Sequence, residues 1–137
     1  MTPIPYLFFR ANAREAFETY GRIFGATPQI MSFEDMPPGG DTGMAEVPAG
    51  AVMHAAVQVG DGWLYGSDDP TGGTPEMAGC NIHVEFATAE ETRRVWDALA
   101  EGGEVRMPLE PSFWAPLFGA LSDRFGIRWM VSQAAER

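Results

Sequence analysis

The sequence predicts an α+β fold in which a βαβββ module occurs twice in tandem, with about eight strands and two main helices. Three observations predict it. Short apolar runs bounded by Gly, Pro and Asp recur along the chain, two helix-period segments stand among them, and those two segments superpose without a gap. Asn12 meets Thr88 (88 − 12 = 76), Glu15 meets Glu91 (91 − 15 = 76), Tyr20 meets Trp96 (96 − 20 = 76) and Ile23 meets Leu99 (99 − 23 = 76). A cap, its partner and two core positions in one register point to an internal duplication. One domain covers 1–137, with module one at about 1–68, a linker at about 69–79 and module two at about 80–137.

Each element has its own signal. Residues 4–9 are an aromatic-rich apolar run, read as a strand. Asn12 is a good helix N-cap, and Glu15 can reach back to it as in a capping box. Ala16, Phe17, Tyr20, Ile23 and Phe24 then form one apolar face, and Gly25 stops the helix. Residues 27–33 form a second strand. The Pro/Gly-rich stretch 34–50 is a loop long enough to suggest a lid over a binding site. Residues 51–59 and 63–67 are strands joined by the tight turn Gly60-Asp61-Gly62. After the linker, 80–87 is a strand and Thr88 caps a helix with the apolar face Thr92, Val95, Trp96 and Leu99. Gly102-Gly103 ends that helix, and 104–109 is a strand. The runs 112–121 and 126–131 flank Ser122-Asp123-Arg124-Phe125 and read as a closing hairpin in which Asp123 is a turn residue.

Composition narrows the function. The 137 residues carry a net charge of −10. That argues against a nucleic-acid partner, which needs a Lys/Arg surface, and disfavours an anionic membrane. No apolar run approaches the ~20 residues of a membrane span. The N-terminal residues lack a signal-peptide pattern. With the single Cys80 unable to form an internal disulfide, a cytoplasmic setting is expected. Cys80 reads as a small buried residue rather than a nucleophile.

Strand alternation puts Val52, His54, Ala56 and Gln58 on one face, polar groups among apolar ones, as in a cavity lining. His titrates near neutrality and suits either a binding or a catalytic role. His83 shares a face with Asn81 and Glu85. Trp63, Tyr65 and Ser67 alternate on one strand, and Trp114 and Trp129 lie in the closing hairpin. The candidate pocket is therefore His54, Gln58, Tyr65, Ser67, His83, Trp114 and Trp129, with apolar walls and few polar groups. The ordinary alternative for such aromatics is core packing. No G-x-S-x-G and no Gly-rich loop opening a helix are present, which counts against an α/β-hydrolase nucleophile and against a nucleotide-like cofactor.

The chain also resembles a known superfamily. The carrying segments are Tyr6-Leu7-Phe8-Phe9, Asn12-Ala13, Glu15-Ala16-Phe17, Asp35-Met36-Pro37, Val52-Met53-His54-Ala55, Ser67-Asp68, Gly102-Gly103, Met107-Pro108-Leu109, Phe113-Trp114, Asp123-Arg124-Phe125-Gly126 and Trp129-Met130. They resemble the vicinal oxygen chelate superfamily of glyoxalase I, bleomycin-resistance proteins and extradiol dioxygenases. Within it they are similar to the PhnB-like group, some of whose members carry a demethylubiquinone methyltransferase-like label. The resemblance implies paired modules around a small-molecule cavity and a homodimer. In metal-using members one ligand comes from the first strand and one from the last strand of each module. The matching places here are Pro5 or Tyr6, Gly66 or Ser67, His83, and Met130, so one expected ligand of four survives. The expected function is small-molecule binding without the standard metal site and with no favoured cofactor. The alternative is a divalent-metal lyase, isomerase or dioxygenase with a rearranged site at His54, His83 and Glu85. The methyltransferase label is not carried over.

Overall fold

The structure is a computed structural model, and it describes residues 1–35 and 47–135. Most of the expected loop at 34–50, and with it the expected lid, lies outside the described residues. The chain divides into two compact units, Met1–Pro75 and Glu76–Arg137. Among the described residues each holds one α-helix and one four-stranded sheet.

In the first unit the elements run β1 (Tyr6–Phe9), α1 (Ala13–Phe24), β2 (Gln29–Ser32), β3 (Val52–Val59) and β4 (Gly62–Asp68). The sheet order is β1-β4-β3-β2, with β1 parallel to β4 and the other pairs antiparallel. Helix α1 buries Ala13, Ala16, Phe17, Tyr20 and Ile23. It covers one sheet face. A Cβ built on Gly66 would lie 2.8 Å from the Phe17 ring, so the helix packs directly on that glycine. Leu7, Phe9, Ala55, Val57 and Leu64 are buried with it. The second strand is shorter than expected from 27–33. Its end turns into a 3-10 helix, Phe33–Asp35, because the Asp35 carboxylate accepts the backbone N–H and the hydroxyl of Ser32.

In the second unit the elements are β5 (Ile82–Phe86), α2 (Ala89–Ala100), β6 (Glu104–Glu110), β7 (Leu117–Ser122) and β8 (Arg128–Gln133). The order β5-β8-β7-β6, again with the outer first strand parallel to the last, repeats that of the first unit. Trp96 of α2 lies over Gly119, whose Cβ would be 2.7 Å from the indole. The closing hairpin is shorter than the run 112–121 implied. Ser112–Ala115 is a turn, with Ser112 N–H donating to the Ala115 carbonyl and Ala115 N–H to the Ser112 hydroxyl. Pro111 and Pro116 on either side have no N–H for a ladder. Cys80, expected to be buried, is exposed, since it precedes β5 instead of lying in it.

The duplication is visible with one difference. Both helices have 12 residues and superpose at a spacing of 76 (89 − 13 = 76). The first strands are offset by 77. Asp69 N–H donates to the Phe9 carbonyl as Ala134 N–H does to that of Phe86 (86 − 9 = 77). The connection into α2 is thus one residue shorter. The caps differ accordingly. Thr88 accepts Glu91 N–H, as expected, at 3.2 Å. The Asn12 side chain makes no cap hydrogen bond; the free N–H of Ala13 instead meets the buried carboxylate of Asp68 at 2.9 Å. The other Asp68 oxygen accepts Val52 N–H at 2.9 Å.

Candidate functional site

The face of the first sheet turned away from α1 carries the predicted residues of that unit. Register pairs Tyr6 with Tyr65, Phe8 with Ser67, Tyr65 with Ala56 and Trp63 with Gln58, so these side chains share a face. His54 joins them opposite Met31. The Tyr6 hydroxyl lies 3.3 Å from His54 Nδ1. The Tyr65 ring meets the imidazole edge-on at 5.0 Å, and Tyr6 and Phe8 are 5.3 Å apart. His54 is therefore half-buried in an aromatic surround with one ring nitrogen engaged by a phenol. Ser67 is buried, whereas Gln58 is exposed. Tyr6, not named among the candidates, is the group that orients His54. Its place opposite Tyr65 in a parallel ladder could not be read from a single strand.

The second sheet has a corresponding open face. Gly119 lies under Trp96, so Val131, its ladder partner, faces the helix, and Met130 and Ser132 point the other way. His83 pairs with Met130 and Glu85 with Ser132. His83 Nε2 lies 2.7 Å from the fully buried Ser132 hydroxyl. Trp114, from the Ser112–Ala115 turn, stands 6.4 Å edge-on from His83 and 4.9 Å from Phe118. Trp129 is elsewhere. It is wholly buried on the helix side, and its indole N–H donates to Asp123 at 2.8 Å. It belongs to the core of this unit, and the open face does not include it. Asp123 is the turn residue expected, with its other oxygen accepting the N–H groups of Phe125 and Ile127.

The metal places of the superfamily can now be compared with the register. The first-strand places are Tyr6 and His83, paired across the ladder with Tyr65 and Met130, so the register moves the first module's last-strand place from the expected Gly66 or Ser67 to Tyr65. A hard divalent ion is held by nitrogen and carboxylate oxygen donors. The first unit offers two phenols at these places and the second an imidazole and a thioether, and neither pair fits it. Among the described residues no group of three or more His, Cys, Asp or Glu is placed to hold an ion.

A sequence model of the 3-demethylubiquinone-9 3-methyltransferase family matches residues 2–132. The chain belongs to this family. Its fold is also that of a glyoxylase/bleomycin resistance protein/dioxygenase domain from Frankia sp. EAN1pec, at a TM-score of 0.67 and 14% identity over 98% of each chain. The chain is 31% identical over 135 residues to Protein YjdN of Escherichia coli (strain K12), covering 93% of this chain and 92% of that one. Protein PA1353 of Pseudomonas aeruginosa shares 38% identity and a TM-score of 0.85 over 99% of each chain. The PhnB protein of Bacillus cereus shares the fold at a TM-score of 0.76, with 24% identity over 98% of this chain and 100% of that one.

Proposed function

We propose that this PhnB-like protein binds a small ring-bearing organic molecule against the open face of a sheet, without a resident metal ion. One observation carries the reading: His54 is a hydrogen-bonding imidazole set in a wall of Tyr6, Tyr65 and Phe8. Apolar walls with few, fixed polar groups are the usual make-up of a small-molecule site. His54, Gln58, Tyr65 and Ser67 serve this role in the first unit, and His83 and Trp114 in the second. Methyl transfer is not proposed. The connections into the helices, Arg10-Ala11-Asn12 and Ala87-Thr88, contain no glycine to admit a nucleotide-like cofactor. No helix among the described residues is long and apolar enough to cross a membrane. A cytoplasmic homodimer is the setting proposed.

Calorimetric titration with 2-naphthol tests the reading. Saturable binding is expected, weakened about tenfold in Tyr65→Ala and in His54→Ala, since buried aromatic anchors dominate such contacts. Binding that fails to saturate, or that neither variant changes, would refute it. A metal-dependent lyase, isomerase or dioxygenase built on His54, His83 and Glu85 is the competing reading, favoured by His83 and Glu85 sharing one face of β5. Stoichiometric divalent metal in protein purified without chelator would decide for it.

A further inference from the structure

We infer that the open face of the first sheet selects an uncharged aromatic ligand bearing a hydrogen-bond acceptor, such as an aryl carbonyl oxygen, because Tyr6 fixes His54 as an N–H donor. This rests on the small-molecule reading above and names the ligand's class, with Tyr6 as a positioning residue.

The two ring nitrogens of His54 stand in different situations. Nδ1 lies 3.3 Å from the Tyr6 hydroxyl. A neutral imidazole has one N–H and one bare nitrogen, and the bond made at one nitrogen decides where the proton sits. A phenol donates well, but its oxygen accepts poorly because a lone pair is drawn into the ring. The bare nitrogen of an imidazole is a strong acceptor. The favoured arrangement is therefore the Tyr6 hydroxyl donating to Nδ1, which leaves the proton on Nε2. Among the described residues Nε2 has no partner, and the only buried side-chain polar atoms without one are Asn81 Oδ1 and Arg128 Nε. The Nε2 N–H of this half-buried residue is thus not sealed in, and a ligand can reach it.

The surroundings set the other requirements. The imidazole has the Tyr65 ring edge-on at 5.0 Å and the Tyr6 ring at 5.8 Å. Phe8, 5.3 Å from Tyr6, and Trp63, 6.5 Å from Tyr65, extend the aromatic surface. Tyr6, Phe8 and Trp63 are exposed, so they are available to a ligand ring. From Gln29 and Met31 on β2 to Tyr6 and Phe8 on β1, the strand positions that share this face hold no Asp, Glu, Lys or Arg. An anion would find no cation there, in a chain of net charge −10, and a cation would find no carboxylate. The hydroxyls of Tyr65 and Ser67 and the amide of Gln58 can each donate or accept, so they do not select. The one fixed polarity is the His54 donor, and its complement is an acceptor on a neutral ring.

The experiment is calorimetry on the full chain with 2-acetylnaphthalene and with 2-isopropenylnaphthalene, which has the same shape and a methylene in place of the carbonyl oxygen. The ketone is expected to bind about tenfold more tightly, since the hydrocarbon leaves the N–H unpaired. In His54→Phe the two probes should bind alike. Nitrogen NMR at about pH 8, above the ordinary imidazole range, locates the proton directly. The imidazole signals lost in His54→Phe belong to His54, and they should show a protonated Nε2 and a bare Nδ1. Tyr6→Phe should move the Nδ1 signal and cut the ketone's advantage to about threefold or less. Circular dichroism first confirms that both variants fold. Equal affinity for the two probes in the unaltered protein, or a proton on Nδ1, overturns the donor assignment and leaves the small-molecule reading standing. An Nδ1 signal that Tyr6→Phe does not move, or a ketone preference that survives His54→Phe, also overturns it. If neither probe binds, both readings fall.

Discussion

Asp68 ends β4 with its side chain buried, one oxygen on Ala13 N–H at the start of α1 and the other on Val52 N–H at the start of β3. Truncation strands two buried donors at once. Asp68→Ala is expected to destabilise the protein by roughly 2–4 kcal/mol, read as a lower urea midpoint, and a loss under about 0.5 kcal/mol would show that water replaces the carboxylate. Its neighbour Asp69 behaves differently. It is exposed, and the hydroxyls of Thr71 and then Thr74, helped by their backbone N–H groups, hold its carboxyl down from 3.8 to about 2. A carboxyl with a depressed folded value stabilises the fold above its ordinary range and loses that contribution as pH falls. Protection of the Thr71 and Thr74 amides, measured against the intrinsic exchange rate at each pH, is therefore expected to fall as pH drops from 3.8 towards 2, and Asp69→Asn should make that protection independent of pH. At this scale the sequence is legible where alternation is unbroken. His54 and Gln58 fall on the open face because Val52–Val59 is one continuous strand. Trp129 could not be placed, because alternation says which residues share a face and not which face the helix takes.

Helix and sheet meet through two glycines, Gly66 under Phe17 and Gly119 under Trp96. At Gly119 the added methyl would also stand 3.0 Å from the Leu109 Cα, a backbone atom that cannot swing aside. Gly119→Ala is expected to cost about 1–3 kcal/mol, as overpacking does, and a thermal melt would show it; an unchanged midpoint would mean that the indole can slide. The helices themselves were readable to within a residue, since an apolar face at spacings of three and four over 12 residues leaves little choice. Strand ends were less so. Ser32 and Ser112 each divert the chain through a side-chain hydrogen bond, in competition with the ladder.

For the whole molecule, the duplication was legible and its irregularity was not. The helices align at 76 and the first strands at 77, a difference visible once the last strands fix the register. The outer strands β1, β2, β5 and β6 have a free edge within their own sheets. Exposed Val105 and Met107 on β6, with Phe113 after it, are apolar groups that a partner chain would cover. Light scattering at micromolar concentration is expected to give twice the single-chain mass. A single-chain mass would remove the dimer from the proposal.

The unequal caps have a kinetic consequence. Helix α2 closes its first turn with Thr88, three residues from the amide it satisfies, so it can nucleate from its own sequence. Helix α1 takes its cap from a carboxylate 55 residues away, and that stretch of chain must come together before the cap exists. Two copies of one ancestral module should therefore gain helical structure at different times, the second copy by local closure and the first after its sheet has assembled.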